Sequence, residues 1–305
     1  MIEHNEDVEE FVNLLKSLGV VVKRPKVLNK LKQIKTLAWE SISHPALNVR
    51  DMAMIVGKTI IETPPTVRYR FLENQLLSHL FLEYFKQGAE WIQAPKPIMT
   101  DRSFDLAHID EATGRSYYDD IISSPNHMDC GHEIMFDAAN CVRLGAHILM
   151  NVSNANQELG ARWLERVLGD KIKILRCSIT DSHIDSSFLP VRPGLAIITQ
   201  PIIKKLLPQE FNDWELIYIP TINDESNKNN SDMLLASSRI GLNILSITPE
   251  LVICHPQYEK LLRQEFRKYK IEVISSPFRH CQIFSGAHHC TTLDIRRRSI
   301  LEDYF

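Results

Sequence analysis

Apolar residues along the chain follow two spacings, which predict short strands and amphipathic helices in a fixed order. Val8, Phe11 and Leu15 recur with helical spacing, and the run stops at Gly19, which favours a helix end. Short apolar runs such as 195–199 have the length of buried strands. Two strands, a helix and a third strand recur in this order, so we predict four ββαβ units. They cover 52–92 (with a long helix over 67–86), 133–175, 187–219 and 242–274.

The two ends of the chain fit a fifth unit of the same kind. A lone strand is predicted over 289–295, and a helix followed by a strand at 20–22 is predicted within 7–23. One ββαβ unit cannot bury its own apolar face, so the repeat favours a ring of units over a doubly wound sheet. The sequence therefore predicts an α/β ring in which the two chain ends meet.

Two polar segments interrupt the repeat. The first covers 101–132 and contains Tyr117-Tyr118-Asp119-Asp120, and the second covers 221–232 and is rich in Asn, Ser and Asp. Long loops in compact domains are either functional lids or polar surface segments. Both interpretations remain open for each loop at this stage.

Composition narrows the class of protein without identifying it. The chain has 305 residues and a formal charge of −3, which gives no basic surface of the kind that nucleic acid requires. Apolar residues make up 44% and charged residues 24%, which excludes a disordered chain. No apolar run reaches the roughly 18 residues that span a bilayer, and residues 1–7 are acidic rather than signal-like. We therefore predict a cytoplasmic protein with neither nucleic acid nor membrane as a partner.

Cys290 is the cysteine whose surroundings suggest chemistry. It follows a loop of small residues and His288 and His289, and it precedes Arg296. Small residues let a substrate approach the backbone, and nearby His and Arg charge favours a thiolate. The alternative is a buried structural cysteine beside surface histidines. The cysteines have irregular spacing without a CxxC pair and are predicted to be free thiols: Cys130, Cys141, Cys177, Cys254, Cys281 and Cys290.

Two further segments carry residues suited to acid–base chemistry. If 182–188 is a strand, alternation places His183 and Asp185 on the same face, where the first is a candidate base and the second can hold a cation. The alternative is a chance surface pair. Asp137 follows an apolar run, so it is a candidate for a buried and paired carboxylate, with a turn-capping aspartate as the alternative.

These segments occur in one order with further motifs upstream. Phe136 to Asn140 is similar to F-D-A-A-D, Ser182 to Phe188 to M/S-H-I-D-A-T-F, and Gly286 to Arg297 to G-G-x-H-C-x-T-x-D-x-R-R. Together they resemble the amidinotransferase family, which includes the arginine:glycine and arginine:inosamine-phosphate enzymes. The similarity extends over nearly the whole chain. Upstream segments similar to P-R-D, V-G-x-x-I-I-E, R-x-R-F, G-A-x-W and A-P-K-P are 49–51, 56–62, 68–71, 88–91 and 94–97.

The resemblance implies a fold and a set of site residues. The family fold is the pentein α/β propeller, with five ββαβ modules around a pseudo-fivefold axis and the active site in the central channel. It implies a single domain over 1–305, although relatives carry a strand before the region of 7–23, so the first N-terminal strand is expected to be missing. Cys290 would be the nucleophile, His183 the general acid and base, and Asp137 its carboxylate partner. The residues expected to bind substrate are Asp51, Asp185, Ser237, Ser238 and Thr292.

The implied reaction moves an amidino group from arginine, or a related guanidine, to an acceptor amine. A thiolate is nucleophilic enough to attack the electron-rich guanidinium carbon, which leaves an amidino-cysteine in a ping-pong cycle. No metal or other cofactor is expected, because the adjacent residues His288, His289 and Cys290 cannot easily form a tetrahedral site. The Arg that binds the donor carboxylate in some relatives is absent from 200–203, which leaves the identity of the donor open.

Two other functions remain open. Pentein relatives such as arginine deiminase use similar groups to hydrolyse guanidines, and the product would distinguish hydrolysis from transfer. A degenerate, non-catalytic pentein is the third possibility, but Asp137, His183 and Cys290 are all retained. A homodimer is also expected, because an unfinished module would expose a strand edge.

Overall fold

A computed structural model describes residues 2–104, 131–222, 242–298, 302, 304 and 305. The first element is helix α1 (Ile2–Ser17), followed by a small antiparallel hairpin of β1 (Gln33–Lys35) and β2 (Glu40–Ile42). The greater part of the predicted loop at 101–132 and of the loop at 221–232 lies outside the described residues. In the part of the chain that is described, no helix is long and apolar enough to cross a membrane.

Four ββαβ modules follow, as predicted. In every module the first two strands form an antiparallel hairpin, and the third strand, which follows a helix, pairs in parallel with the second. The first module consists of β3 (Ala53–Val56), β4 (Thr59–Glu62), α2 (Ser78–Lys86) and β5 (Glu90–Gln93). The second consists of β6 (Cys141–Leu144), β7 (His147–Asn151), α3 (Ala155–Leu168) and β8 (Lys173–Cys177). The third consists of β9 (Phe188–Arg192), β10 (Leu195–Ile198), α4 (Ile203–Leu206) and β11 (Glu215–Tyr218). The fourth consists of β12 (Leu245–Thr248), β13 (Leu251–Cys254), α5 (Pro256–Phe266) and β14 (Glu272–Ser275).

The hairpins are short because glycine permits tight turns between their strands. Gly57 joins β3 to β4 with φ +58°, and Gly194 joins β9 to β10 with φ +75°. L-residues with a side chain rarely adopt this left-handed region, whereas glycine enters it without a steric penalty. Glycine at these two positions therefore keeps both hairpins short.

Three apolar clusters of the described residues lie between neighbouring modules. Met54 and Ile61 of the first module pack in one cluster with Phe136 and Ile148 of the second. Similar clusters join the second module to the third, and the third to the fourth. Because each of these three clusters takes side chains from two modules, burial of one module depends on the next. This arrangement produces the predicted ring.

The fifth position of the ring differs from the prediction. Helix α1 lies there, but residues 20–22 and 289–295 are not strands, so both strand predictions are wrong. A strand requires a neighbour to pair its N–H and C=O groups, and among the described residues neither segment has one. Val20 and Val22 instead pack against the cluster around α1, and Leu293 and Ile295 against the first module.

Two local predictions in the first half of the chain were also wrong. The helix predicted over 67–86 is continuous only in α2, and residues 68–70 and 73–76 form two separate 3₁₀ turns. These turns bring Arg70 and Glu73 inward as a buried ion pair, which a surface helix would leave outside. The segment 133–136 is not a strand, although Met135 and Phe136 are buried as the apolar pattern predicts.

Candidate active site

The site residues come from the same place in successive modules, just before the first strand. Asp51 ends a 3₁₀ turn before β3, Asp137 precedes a turn before β6, and His183 precedes a turn before β9. Asn243 lies before β12, and Cys290 lies in the segment that follows the fourth module. The ring therefore carries these five residues to one central place, although they are far apart in sequence.

His183 and Asp137 form a close pair. His183 Nε2 lies 2.9 Å from Asp137 Oδ2, and Thr66 donates to both carboxylate oxygens from its backbone N–H (3.2 Å) and its hydroxyl (2.8 Å). Asn140 Oδ1 accepts from the backbone N–H of Asp137 and fixes the turn. Asp137 is thus the buried, paired carboxylate that the sequence predicts, and its contacts with Thr66 and Asn140 set its position.

The charges around His183 favour its protonated form. Burial alone would lower its pKa, but Asp51, Asp137 and Asp185 more than compensate and raise the pKa to about 9. Burial would likewise raise the pKa of Asp137, yet the hydrogen bond and charge of His183 lower it below its ordinary value. The pair therefore exists as imidazolium and carboxylate at neutral pH.

Cys290 is a thiol in this arrangement rather than a thiolate. It is 1% exposed, its backbone N–H donates to Asn243 Oδ1 at 2.8 Å, and its Sγ donates to Asp185 Oδ2 at 3.5 Å. Burial raises the pKa of Cys290 well above 9, and the charges of Asp185 and Asp51 raise it further. Activation of this sulfur requires a further positive charge near the two carboxylates, in addition to Arg70 and His183.

Asp51 and Asp185 each have one carboxylate oxygen that accepts no hydrogen bond. Asp51 Oδ2 accepts from Arg70 Nη1 at 2.7 Å, and Asp185 Oδ2 accepts from His289 Nδ1 at 2.6 Å and from Asn243 Nδ2 at 3.1 Å. In both carboxylates Oδ1 is buried and makes no hydrogen bond, although His183 Nδ1 lies 3.7 Å from Asp51 Oδ1 as an ion pair. Burying a carboxylate oxygen without a donor is costly, which points to a cationic ligand that supplies the missing N–H groups.

The two carboxylates differ in how readily they ionise. Burial raises the pKa of Asp51 to about 6, although His183 and Arg70 act in the opposite direction. Burial also acts on Asp185, but the hydrogen bond and charge of His289 outweigh it and hold the pKa well below its usual range. Asp185 is therefore charged throughout the neutral range, and Asp51 is charged above about pH 6.

The expected strand around His183 is a 3₁₀ turn, so this prediction was wrong. The backbone N–H of Ser186 bonds to the carbonyl of His183 at 3.2 Å, and the turn covers Ile184–Ser186. His183 consequently points to Asp137 while Asp185 points to His289 and Asn243. Both side chains still reach the site, but from opposite sides of a turn.

The remaining predicted residues have different outcomes. Ser237 and Ser238 lie outside the described residues. The hydroxyl of Thr292 donates to the carbonyl of His288 at 2.9 Å, so its contacts support the cysteine loop. His288 is fully buried and its Nε2 lies 3.0 Å from the carbonyl of Ser276, so this histidine points away from the sulfur.

Sequence reasoning missed the residues that hold the site in place. Asn48 donates from Nδ2 to the carbonyls of Phe284 and Ser285, both at 3.0 Å, and so fixes the cysteine loop. A Cβ added to Gly286 would lie 1.9 Å from Asn48 Oδ1, which explains the glycine better than access for a substrate does. The R-x-R-F segment was a signal for Arg70, whereas nothing in the sequence singled out Asn243.

The sequence is similar to those of known amidinotransferases. No protein-family model matches the sequence. The chain is 34% identical to inosamine-phosphate amidinotransferase 1 of Streptomyces griseus, over 97% of this chain and 81% of the relative. It is 33% identical to the L-arginine:L-lysine amidinotransferase of Pseudomonas savastanoi pv. phaseolicola, over 98% of this chain and 80% of the relative.

Solved structures give the same result. An amidinotransferase of the saxitoxin biosynthetic pathway from Microseira wollei superposes with a TM-score of 0.84 at 30% identity, covering 100% of this chain and 86% of that structure. A dimethylarginine dimethylaminohydrolase superposes with a TM-score of 0.53 at 16% identity, covering 81% of this chain and 77% of that structure, which shows the shared pentein fold alone. By these similarities the chain is a transferase with the pentein fold, and it belongs to the amidinotransferase family.

Proposed function

We propose that this protein moves an amidino group from arginine, or a related guanidine, through a covalent amidino-Cys290 to an acceptor amine. The observation that carries the proposal is the pair of buried oxygens on Asp51 and Asp185 that accept no hydrogen bond, beside the thiol of Cys290. A guanidinium is flat, cationic and rich in N–H donors, so it satisfies both oxygens at once.

Binding of the donor prepares the nucleophile. The cation offsets the two negative charges that raise the pKa of Cys290, so the thiol releases its proton to water and becomes a thiolate. The carboxylates hold the guanidinium plane beside the sulfur, which supplies the proximity that a weak electrophile requires. Cys290 then attacks the guanidinium carbon.

His183 handles the proton in both half-reactions. As an imidazolium it protonates the nitrogen that leaves, so the C–N bond breaks and ornithine departs when arginine is the donor. The neutral imidazole then removes a proton from the incoming amine, whose nitrogen attacks the amidino carbon. The C–S bond breaks and Cys290 leaves as a thiolate. Asp137 keeps the imidazole oriented through both steps.

Intact-mass spectrometry after incubation with arginine tests the proposal. We expect a mass increment of one amidino group that disappears when an acceptor amine is added, together with ornithine and a new guanidine. Cys290→Ala should abolish the increment, whereas Cys141→Ala, at a free thiol in β6, should retain it. Citrulline and ammonia would instead indicate hydrolysis, and absence of any increment with a panel of guanidines would contradict covalent transfer.

The proposed function also indicates which ligands and partner molecules the protein binds. We propose small guanidines and amines as ligands, without nucleic acid, which the formal charge of −3 supports. We also propose a homodimer, supported by exposed apolar side chains at Val21 (85%), Val27 (82%) and Leu37 (88%). Light scattering that reports a monomer at every concentration would contradict the dimer.

A further inference from the structure

Arg70 is a buried cation that the proposed reaction does not use. It is 6% exposed and lies in a 3₁₀ turn, Arg68–Arg70, between β4 and α2. Its neighbour Glu73 is 2% exposed, and the two form a two-point ion pair at 2.6 and 2.9 Å. A buried pair of this kind is weak evidence for stability, because desolvation offsets much of the attraction.

The remaining contacts of Arg70 point to the site. Nη1 donates to Asp51 Oδ2 at 2.7 Å, and Nη2 donates to the carbonyl of Asn48 at 3.1 Å. Asn48 in turn holds the cysteine loop through the carbonyls of Phe284 and Ser285. One guanidinium therefore connects the carboxylate that faces the donor to the residue that fixes the nucleophile loop.

The geometry suits arginine and no other side chain. Nε donates to Glu73, Nη1 to Asp51 and Nη2 to the carbonyl of Asn48, so three nitrogens have separate acceptors. The single ammonium of a lysine cannot reach all of them, because it is a point donor on a flexible stem. Glu73 holds two of the nitrogens and so fixes the direction in which the third one points.

We propose that Arg70, held by Glu73, is a positioning residue that keeps Asp51 charged and turns its free oxygen toward the donor guanidinium. This inference rests on the proposed function, since it assigns Asp51 to donor binding. The charged and titratable groups that act on Asp51 are His183, Arg70, Asp185 and Asp137, and Cys290 is affected by Asp51 in turn. Among the groups that act on Asp51, Arg70 alone makes a hydrogen bond to its carboxylate in the described residues.

The pH dependence of donor use separates this role from a merely structural one. Asp51 must be ionised to bind a cation, so kcat/KM for the donor falls as the pH drops through its pKa, which is about 6. Loss of the Arg70 contact raises the pKa of Asp51. The acidic limb of the pH profile of kcat/KM, where activity falls as the pH drops, should therefore move to higher pH. Removing an arginine beside an aspartate moves such a limb by roughly one to three pH units.

The experiment compares Arg70→Lys and Arg70→Gln with Arg68→Lys. Arg68 belongs to the same segment but bonds to the carbonyl of Met99 and to Asp101, so it is a matched control outside the site. We expect the Arg70 variants to raise KM for arginine by about tenfold or more and to shift the acidic limb upward. The Arg68 variant should leave the limb unchanged.

Further measurements distinguish failure of the inference on Arg70 from failure of the proposed function. If circular dichroism shows that Arg70→Gln does not fold, Glu73→Gln replaces it in the experiment. We then expect a higher KM for arginine without an upward shift of the acidic limb, because the negative charge of Glu73 has been removed. An unchanged pH profile and KM in folded Arg70→Lys, with amidino-Cys290 still formed by the unmodified protein, would overturn the inference alone.

If the unmodified protein forms no amidino-cysteine, the proposed function fails. Calorimetric binding of arginine to Cys290→Ala, with and without Arg70→Lys, then decides the role of Arg70: unchanged affinity would overturn it.

Discussion

Substitution of Asp137 by asparagine tests the proton-transfer pair most directly. The change keeps the size of the side chain but removes its charge, and it replaces one acceptor of the 2.9 Å contact with His183 by an amide. The rise in the pKa of His183 from 6.5 to about 9 corresponds to roughly 3 kcal/mol in favour of the imidazolium. Asp51, Asp137 and Asp185 together produce that rise and also offset the effect of burial, so loss of one charge should lower the pKa of His183 by about one unit or more.

Two measurements follow from this magnitude. NMR titration of His183 should show the lower pKa, and the basic limb of the kcat profile should move to lower pH, because the imidazolium is lost earlier as the pH rises. General acid–base catalysis is worth roughly 100-fold to 10,000-fold, so kcat should fall by about 100-fold or more. Asp181→Asn is the matched control, since this carboxylate is exposed and lies two residues from His183. Normal kinetics in Asp137→Asn would refute the assigned role of Asp137.

Three further predictions concern the thiol and two glycines. Iodoacetamide should modify Cys290 slowly at pH 7 and faster when guanidinium chloride is added at non-denaturing concentration; an equal or slower rate would contradict activation by a bound cation. Gly160→Ala should destabilise the protein by roughly 1–3 kcal/mol in urea titrations, although alanine normally favours a helix, because the new Cβ would lie 2.3 Å from Phe136 Cδ1. Gly286→Ala should reduce kcat while Asn48→Ala in the same background restores part of it, since the clash is with Asn48 Oδ1; no recovery would contradict that explanation.

The repeat and the motifs were sufficient to predict the fold and the family. Four ββαβ modules are present in the predicted order, although the first strand of the second module is Cys141–Leu144 rather than 133–136, because short buried strands and amphipathic helices have distinct periods. The approach of Asp137 to His183 was also predicted, through the resemblance. The catalytic roles, the extent of the domain, the cytoplasmic location and the dimer stay predictions.

The errors share one physical cause. Strand patterns at 20–22 and 289–295 describe which side chains are buried, but they do not specify whether a neighbouring strand exists. The turn at 184–186 illustrates the same limit, because its side chains are ordered by partners that lie far away in sequence. Asn48 and Arg70 were missed for this reason as well, since their importance comes from contacts made across the ring.

Among the described residues, the fifth position of the ring contains no sheet. The ring therefore has two parts: the four modules, which we call the arc, and the fifth position with α1 and the segment around Cys290, which we call the seam. Ladder hydrogen bonds hold the strands within each of the four modules, whereas the fifth position has no ladder in the described part of the chain and is joined to its neighbours by side-chain contacts, including those of Arg279 with Asp7 and Glu6 of α1. Native-state hydrogen exchange should therefore detect a local opening of the seam below the free energy of global unfolding. Cys290 lies on the seam while His183 and Asp137 lie on the arc, so such an opening would separate the nucleophile from its acid–base pair without unfolding either.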